Sequence, residues 1–423
     1  MSLDFINIVL LGSLLVTILA YLKLSSIDGS YINVLLPSLV FTVPAYYFFP
    51  SIYMNIFGNN ASPYAFAYIY STLAVENVAF VYGYSRGRKQ IVRLPIGWSY
   101  HNFVLISLTA LIIGVLLYLP ILLQFRQDLL DPRRIYEQTR TGFGLQFYVS
   151  SFLAYIAIIL ILFAKTSRLT KGAVVAAALG LLLLHGSKGQ VLSAVLLLIL
   201  FHVYGAGKRV GLGRTLVAYS AIALVVIALF AGSMFLGDSL QEMLETISEY
   251  SDYTRNAMMV IDEHFPLQYG RLTIEANTIA LIPRALIPNK RHNLGGLYLD
   301  EEFYPQKLDA DAGAPAFGIG LQYADFGDLA VVYLGICSLL RGWLARVFVN
   351  RLNLTHHPAD FFMVAFFADV GLFPVGSGWF LAGAILVALL LRRISTIGAE
   401  RVYWDRQKTT ALIPSSSFNG GRS

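Results

Sequence analysis

Residues 102–124 read NFVLISLTALIIGVLLYLPILLQ, twenty-three residues without one Asp, Glu, Lys or Arg. A helix of that length rises about 35 Å, enough to cross a hydrocarbon core of about 30 Å. In lipid every backbone N–H and C=O must find a partner inside the segment, so such a run is a helix. The rest of the chain repeats the pattern. Of its 423 residues 57% are hydrophobic and 13% charged; the usual charged share is about 25%, so a soluble fold would lack the charge to cover its surface. The alternating segments of about ten residues that mark an outer-membrane barrel do not occur. The sequence therefore predicts an all-α polytopic membrane protein with about eleven spans, within a range of ten to twelve. They are placed near 5–24, 31–49, 63–84, 102–124, 146–164, 172–185, 190–205, 215–236, 328–349, 360–375 and 377–392. The run Phe5 to Leu24 has no small-residue cleavage pattern after it and reads as a retained helix.

The charges sort by loop. Arg86, Arg88, Lys89 and Arg93 follow the third span without an acid. Lys165, Arg168 and Lys171 come two spans later, then Lys208, Arg209 and Arg214, then Arg346 and Arg351, then Arg392 and Arg393. All fall on one side of an eleven-span chain, which the positive-inside rule makes the cytoplasm. The N-terminus is then outside. The net charge of +6 follows from this topology, and nucleic acid is not an expected partner. Cys337 is the only cysteine, which excludes an intrachain disulfide and a cysteine metal cluster.

Two segments stand on the opposite, external side. One, 125–145, mixes Arg126, Arg133, Arg134 and Arg140 with Asp128, Asp131 and Glu137. The other, 237–327, is too long for a connector, and loops of that size usually carry function. Within it 239–260 has helical spacing of Leu240, Met243, Leu244 and Ile247. Leu272 to Ile287 is apolar but interrupted by Pro283 and Arg284, so it predicts a short re-entrant or interfacial helix and not a span. Residues 1–400 thus form a single integral membrane domain. The polar tail 401–423 is expected to be a disordered cytoplasmic segment.

Arginines on the outer face run against the positive-inside bias. Arg133, Arg134, Arg140, Arg284, Lys290 and Arg291 are there, and they admit two readings: charges of a solvated loop, or donors for phosphate. Arginine offers a planar fork that matches phosphate oxygens two at a time. Lys188 lies in the turn Gly186-Ser187-Lys188-Gly189 between two short apolar runs. It either snorkels to the head groups or marks a functional charge below the surface. The acids Asp300, Glu301, Glu302, Asp309 and Asp311 read as a solvated acidic loop or as a cation site. His264 and His292 stand alone in sequence.

The stretch Ile282-Pro283-Arg284-Ala285-Leu286-Ile287-Pro288-Asn289-Lys290 resembles the signature of the Wzy-type oligosaccharide repeat unit polymerases. Tyr253-Thr254-Arg255-Asn256 before it and Tyr323-Ala324-Asp325-Phe326-Gly327 after it are similar to the flanks usual in that family. The turn His185 to Gln190 resembles a family turn that more often carries arginine, and here carries Lys188. Arg133 to Gly144 and Arg284 to Gly295 each fit an arginine, ten residues and a glycine, a pattern found in both external loops of some of these polymerases.

The resemblance implies a GT-C-type membrane glycosyltransferase of the bacterial cytoplasmic (inner) membrane. It would move a growing glycan from undecaprenyl pyrophosphate onto a hydroxyl of a new lipid-linked repeat unit, without a cofactor or a metal. A chain-length regulator and a flippase of the same pathway are the implied partners. Cations must stabilise the departing pyrophosphate, and a base must take the proton of the attacking hydroxyl. Arg284 is the lead catalytic residue. Arg133, Arg140, Lys188, Arg255, Lys290 and Arg291 are candidates for the pyrophosphate, and Glu275, His292, Asp309 and Asp311 for the base. Tyr298, Phe303, Tyr304 and Tyr323 either stack on sugars or line the membrane interface. An O-antigen ligase, a flippase of lipid-linked oligosaccharide and a non-catalytic assembly partner are the alternatives.

Overall fold

A computed structural model of the chain describes residues 3–58, 62–87, 102–128, 134–136, 139, 143–215, 217, 220, 251–279, 282, 287, 289, 293–307, 316–371 and 381–394. Every regular element among them is helical. Five helices are long and apolar enough to cross a membrane: Phe5–Asp28, Asn102–Gln124, Gln146–Phe163, Lys188–Gly205 and Ile319–Thr355.

In chain order the elements are α1 (Leu3–Asp28), α2 (Leu36–Val43), α3 (Phe49–Phe57), α4 (Pro63–Arg86), α5 (Asn102–Gln124), α6 (Gly144–Phe163), α7 (Arg168–Leu184) and α8 (Lys188–Leu200). A cluster of shorter helices follows: α9 (Asp252–Asp262), α10 (Arg271–Asn277), α11 (Gly296–Phe303) and α12 (Ile319–Phe326). Then come α13 (Ala330–Thr355) and α14 (Pro358–Phe367), with a last helical stretch at 381–394.

Several expected spans shift, for local reasons. The 31–49 span becomes α2 and α3 joined by a π-turn at Pro44–Phe48, so it starts and ends later. The 172–185 span begins earlier, at Arg168, because the Ser167 hydroxyl caps the first turn by accepting from Thr170 N–H at 3.0 Å. Lys171 bends back to the Leu162 carbonyl at 2.8 Å, so its charge does not end the helix. The 328–349 span runs on to Thr355. The 360–375 span is replaced, among the described residues, by the ten-residue α14, which ends where Asp369 takes φ +60°. At about 15 Å, α14 alone does not reach across a bilayer.

Small residues and buried ion pairs hold the bundle. Where α4 crosses α13, Gly83 faces the Leu339 carbonyl and Gly342 faces the Phe80 carbonyl, closely enough that neither position has room for a Cβ. Backbones approach this closely only where side chains are absent. α5 and α6 are joined reciprocally: Ser107 donates to the Ala157 carbonyl and Ser150 to the Gly114 carbonyl, both at 2.8 Å. Asp28, at the end of α1, accepts from Tyr84 at 2.8 Å, from Tyr204, and from Arg346 at 3.1 Å. Asp360, fully buried in α14, faces Arg351 at 3.4 Å and Arg392, and accepts from Thr355 at 2.7 Å. Arg346 and Arg351 are thus helix residues neutralised by neighbours, and not loop charges.

These contacts fix which ends lie together. Phe361, near the start of α14, packs on Phe163 at the end of α6 and on Phe201 after α8. The end of α13 and the ends of α6 and α8 therefore share one end of the bundle. The start of α13, the start of α6 and the turn before α8 lie toward the other end. There Ser62 N–H donates to Asp262 at 2.8 Å, Tyr64 bonds Asp328, and Tyr68 bonds the Gly327 carbonyl at 3.2 Å. The cluster of α9 to α12 is stitched to the start of α4 at that end.

Candidate functional site

The cluster of α9 to α12 folds on its own small core of Val260, Leu272, Leu299, Phe317 and Ala324. α9 and α12 meet at Gly320, where a Cβ would stand 2.7 Å from Ala257 Cα. This contact brings the segments 253–256 and 323–327, seventy residues apart in sequence, against each other. Three of the four members of the first segment have a task. Thr254 donates to the Ala45 carbonyl at 3.5 Å. Buried Asn256 donates to the Ala316 carbonyl at 2.9 Å and accepts from the Tyr304 hydroxyl at 2.7 Å. Arg255 lies 4.2 Å over the Tyr53 ring and 3.5 Å from Asp252.

α10 leads directly into the Arg284 segment, and two carboxylates tie it to the rest of the cluster. Asp325, 1% exposed, accepts from the N–H of Leu272 at 2.9 Å and of Thr273 at 2.6 Å. Glu275 accepts from the N–H of Gly295 at 3.3 Å and faces Arg271 at 3.6 Å. Gly295 has φ +62°, and a Cβ there would lie 2.7 Å from the Ala276 Cβ. Arg271 also sits 4.6 Å over the Tyr298 ring, and its Nε and Nη2 are buried without a hydrogen-bond partner.

α11 divides its acids between two environments. Glu301 and Glu302 are exposed, as a solvated acidic loop requires. Asp300 departs from that reading: it is 3% exposed, its Oδ1 accepts no hydrogen bond from the described residues, and burial pushes its pKa up to about 6. The aromatics of the cluster pack on one another, Phe265 with Tyr298 and Phe303, and Phe303 and Tyr304 with Phe317.

Lys188 opens α8, in a turn fixed by two tyrosines. Tyr118 of α5 donates to the Leu184 carbonyl at 2.8 Å, and Tyr155 of α6 to the Gln190 carbonyl at 2.9 Å. His185 is fully buried, stacked on Tyr118 at 4.0 Å and edge-on to Phe147 at 4.8 Å. The turn belongs to the packing of α5 to α8, whereas Arg255 and Glu275 belong to the α9–α12 cluster. Of the residues expected to form the site, Arg255 and Glu275 share that cluster. Arg133, Arg140, Arg284, Lys290, Arg291, His292, Asp309 and Asp311 lie outside the described residues. Among the described residues no group of three or more His, Cys, Asp or Glu is placed to hold a metal ion.

Sequence reasoning missed Arg271 and the role of Asp325. Asp325 stands in the quoted flank 323–327, but its partners are 53 and 52 residues away. No local pattern reports such a pairing.

A helical bundle with five apolar helices of spanning length and a folded loop cluster at one end defines a multi-pass membrane protein. Over 368 residues the chain is 35% identical to the O-antigen polymerase of Salmonella typhimurium, which spans 86% of this chain and 89% of that protein. The O-antigen polymerase of Salmonella typhi gives the same identity and coverage. No family model matches the chain, and no solved structure matches it. The chain belongs to the O-antigen polymerase family, in keeping with its resemblance to the Wzy-type repeat unit polymerases.

Proposed function

We propose that the chain polymerises oligosaccharide repeat units carried on undecaprenyl pyrophosphate into a surface polysaccharide, at the outer face of the bacterial inner membrane. The observation that carries this reading is the 35% identity to O-antigen polymerases along 86% of the chain. The folded external cluster supports it, because that cluster carries the family-like segments on either side of Arg284. On this reading the chain has about eleven spans and a GT-C-type plan, with 125–145 and 237–327 external and 401–423 a cytoplasmic tail. A flippase supplies its substrate, and a chain-length regulator acts with it.

In the proposed reaction a sugar hydroxyl of the incoming unit attacks the anomeric carbon of the growing glycan. The bond from that carbon to the phosphate oxygen breaks, and undecaprenyl pyrophosphate leaves with the electron pair. Arg284 stabilises the charge on the leaving group. Arg133, Arg140, Lys188, Arg255, Lys290 and Arg291 add donors for the two phosphates, and with them the transfer needs no divalent metal. Glu275, with Gly295 and Arg271 on its oxygens, is better suited to holding the loop than to taking a proton. His292, Asp309 and Asp311 are the proton acceptors that the sequence offers.

Purified chain in nanodiscs, given a lipid-linked repeat unit alone, tests the reading. A ladder of lengthening products is expected. Transfer only to an added lipid A core acceptor would make it a ligase. Movement of the substrate across the bilayer without chemistry would make it a flippase.

A further inference from the structure

The α9–α12 cluster buries two carboxylates whose hydrogen bonding differs. Asp325 has a backbone N–H on each oxygen, the arrangement of a structural acid. Asp300 has an oxygen shielded from water that accepts nothing from the described residues. Buried polar atoms are nearly always paired, and an exception calls for an explanation. Among the described residues no ion pair supplies one. Arg255 of α9 faces Asp252 at 3.5 Å, Arg271 of α10 faces Glu275 at 3.6 Å and its buried Nε and Nη2 make no hydrogen bond to Asp300, and α12 contributes Asp325, each of whose oxygens accepts a backbone N–H. The other acids of α11, Glu301 and Glu302, point outward. Asp300 is therefore set one residue from the core residue Leu299, inward, with acceptor capacity unused and, among the described residues, with no ion pair holding it as a structural charge. Keeping such a carboxyl is unfavourable for folding, and residues of that kind are characteristic of functional sites.

We propose that Asp300 is the proton acceptor of the transfer reaction, taking the proton of the attacking sugar hydroxyl. The proposal rests on the polymerase reading above. A hydroxyl is the donor that matches an oxygen lacking one. The Asp300 carboxylate removes its proton as the hydroxyl oxygen bonds to the anomeric carbon. The electron pair of the breaking carbon–oxygen bond leaves on the pyrophosphate, and the proton is later released to water. A carboxyl that titrates near 6 is charged at neutral pH and more basic than an ordinary aspartate, which suits a general base. Tyr304, at the end of α11, donates its hydroxyl to Asn256 of α9, and Arg255 of α9 lies over Tyr53.

The test compares wild-type chain with Asp300→Asn and Asp300→Glu, in nanodiscs with lipid-linked repeat units, from pH 5 to 9. Wild-type kcat should fall as pH drops through about 6. Asp300→Asn should lower kcat a hundredfold to ten-thousandfold with KM little changed and that pH dependence gone, while its Tm at pH 7.5 equals or exceeds wild type. Asp300→Glu should recover part of the rate. An Asn variant at wild-type rate, or one whose rate and Tm fall together, overturns the proposal. Absence of chain growth by the wild type would instead defeat the polymerase reading.

Discussion

Glu275 accepts the backbone N–H of Gly295 at 3.3 Å, across twenty residues of chain that include Arg284. The pattern of an arginine, ten residues and a glycine thereby gains a physical reason at its glycine. Gly295 takes φ +62° where the chain returns to α10, against Ala276 and the Leu272 carbonyl.

Gly295→Ala should therefore destabilise the protein. A side chain in that backbone region costs about 1–3 kcal/mol, and the new Cβ would lie 2.7 Å from the Ala276 Cβ. Thermal unfolding in detergent should show the loss, and polymer yield should fall with it. Adding Ala276→Gly should restore part of the Tm by relieving the contact but not the backbone strain.

Gly342→Leu should prevent the protein from accumulating. Its Cβ would meet the Phe80 carbonyl where α4 crosses α13, and Gly83 meets Leu339 in the same way, so neither helix can shift to make room. The amount of monodisperse protein recovered from membranes reports this. Leucine at Gly12, which has nothing within 4 Å of its Cβ position, should be tolerated.

Stability should depend on pH through Asp300. Its pKa rises from an ordinary 3.8 in the unfolded chain to about 6 in the fold, so the native state holds the proton more tightly. The contribution of Asp300 to stability is then most favourable below about pH 4 and is lost as pH rises through about 6. The difference in Tm between wild type and Asp300→Asn, followed from pH 4 to 8, should grow with pH in favour of the variant.

The bundle was legible in the sequence where one helix decides for itself. Residues 102–124 hold no charge and form α5 with those bounds. Elsewhere the sequence hid the answer in distant partners. Arg346 and Arg351 look like loop charges until Asp28 and Asp360, from other helices, neutralise them inside α13. The stop just after α14, at Asp369, depends on a positive φ that no hydropathy pattern carries. In the candidate site the segments flanking Arg284 were readable as family-like, but their packing through Gly320 and Ala257 was not. Asp300, one of three consecutive acids, could be told from Glu301 and Glu302 only once the side facing the core was known.

Metal removal should leave the rate unchanged. Arginine and lysine can supply the positive charge at the leaving pyrophosphate. Polymerisation by purified protein in EDTA should therefore match that in Mg²⁺. Loss in EDTA that Mg²⁺ or Mn²⁺ restores would place a cation in the reaction.

The proposed role of Arg284 at the leaving pyrophosphate is tested by chain growth of the Arg284→Ala protein at wild-type abundance. Loss of one charge-assisted donor in a preorganised site lowers rate about a hundredfold to a thousandfold. Arg284→Lys should recover only part, since an ammonium cannot bind two oxygens as the guanidinium fork does. Cells carrying the alanine variant should display single repeat units in place of long chains. Long-chain polysaccharide of normal length and amount from that strain, with the variant present at wild-type level in the membrane, would contradict the claim.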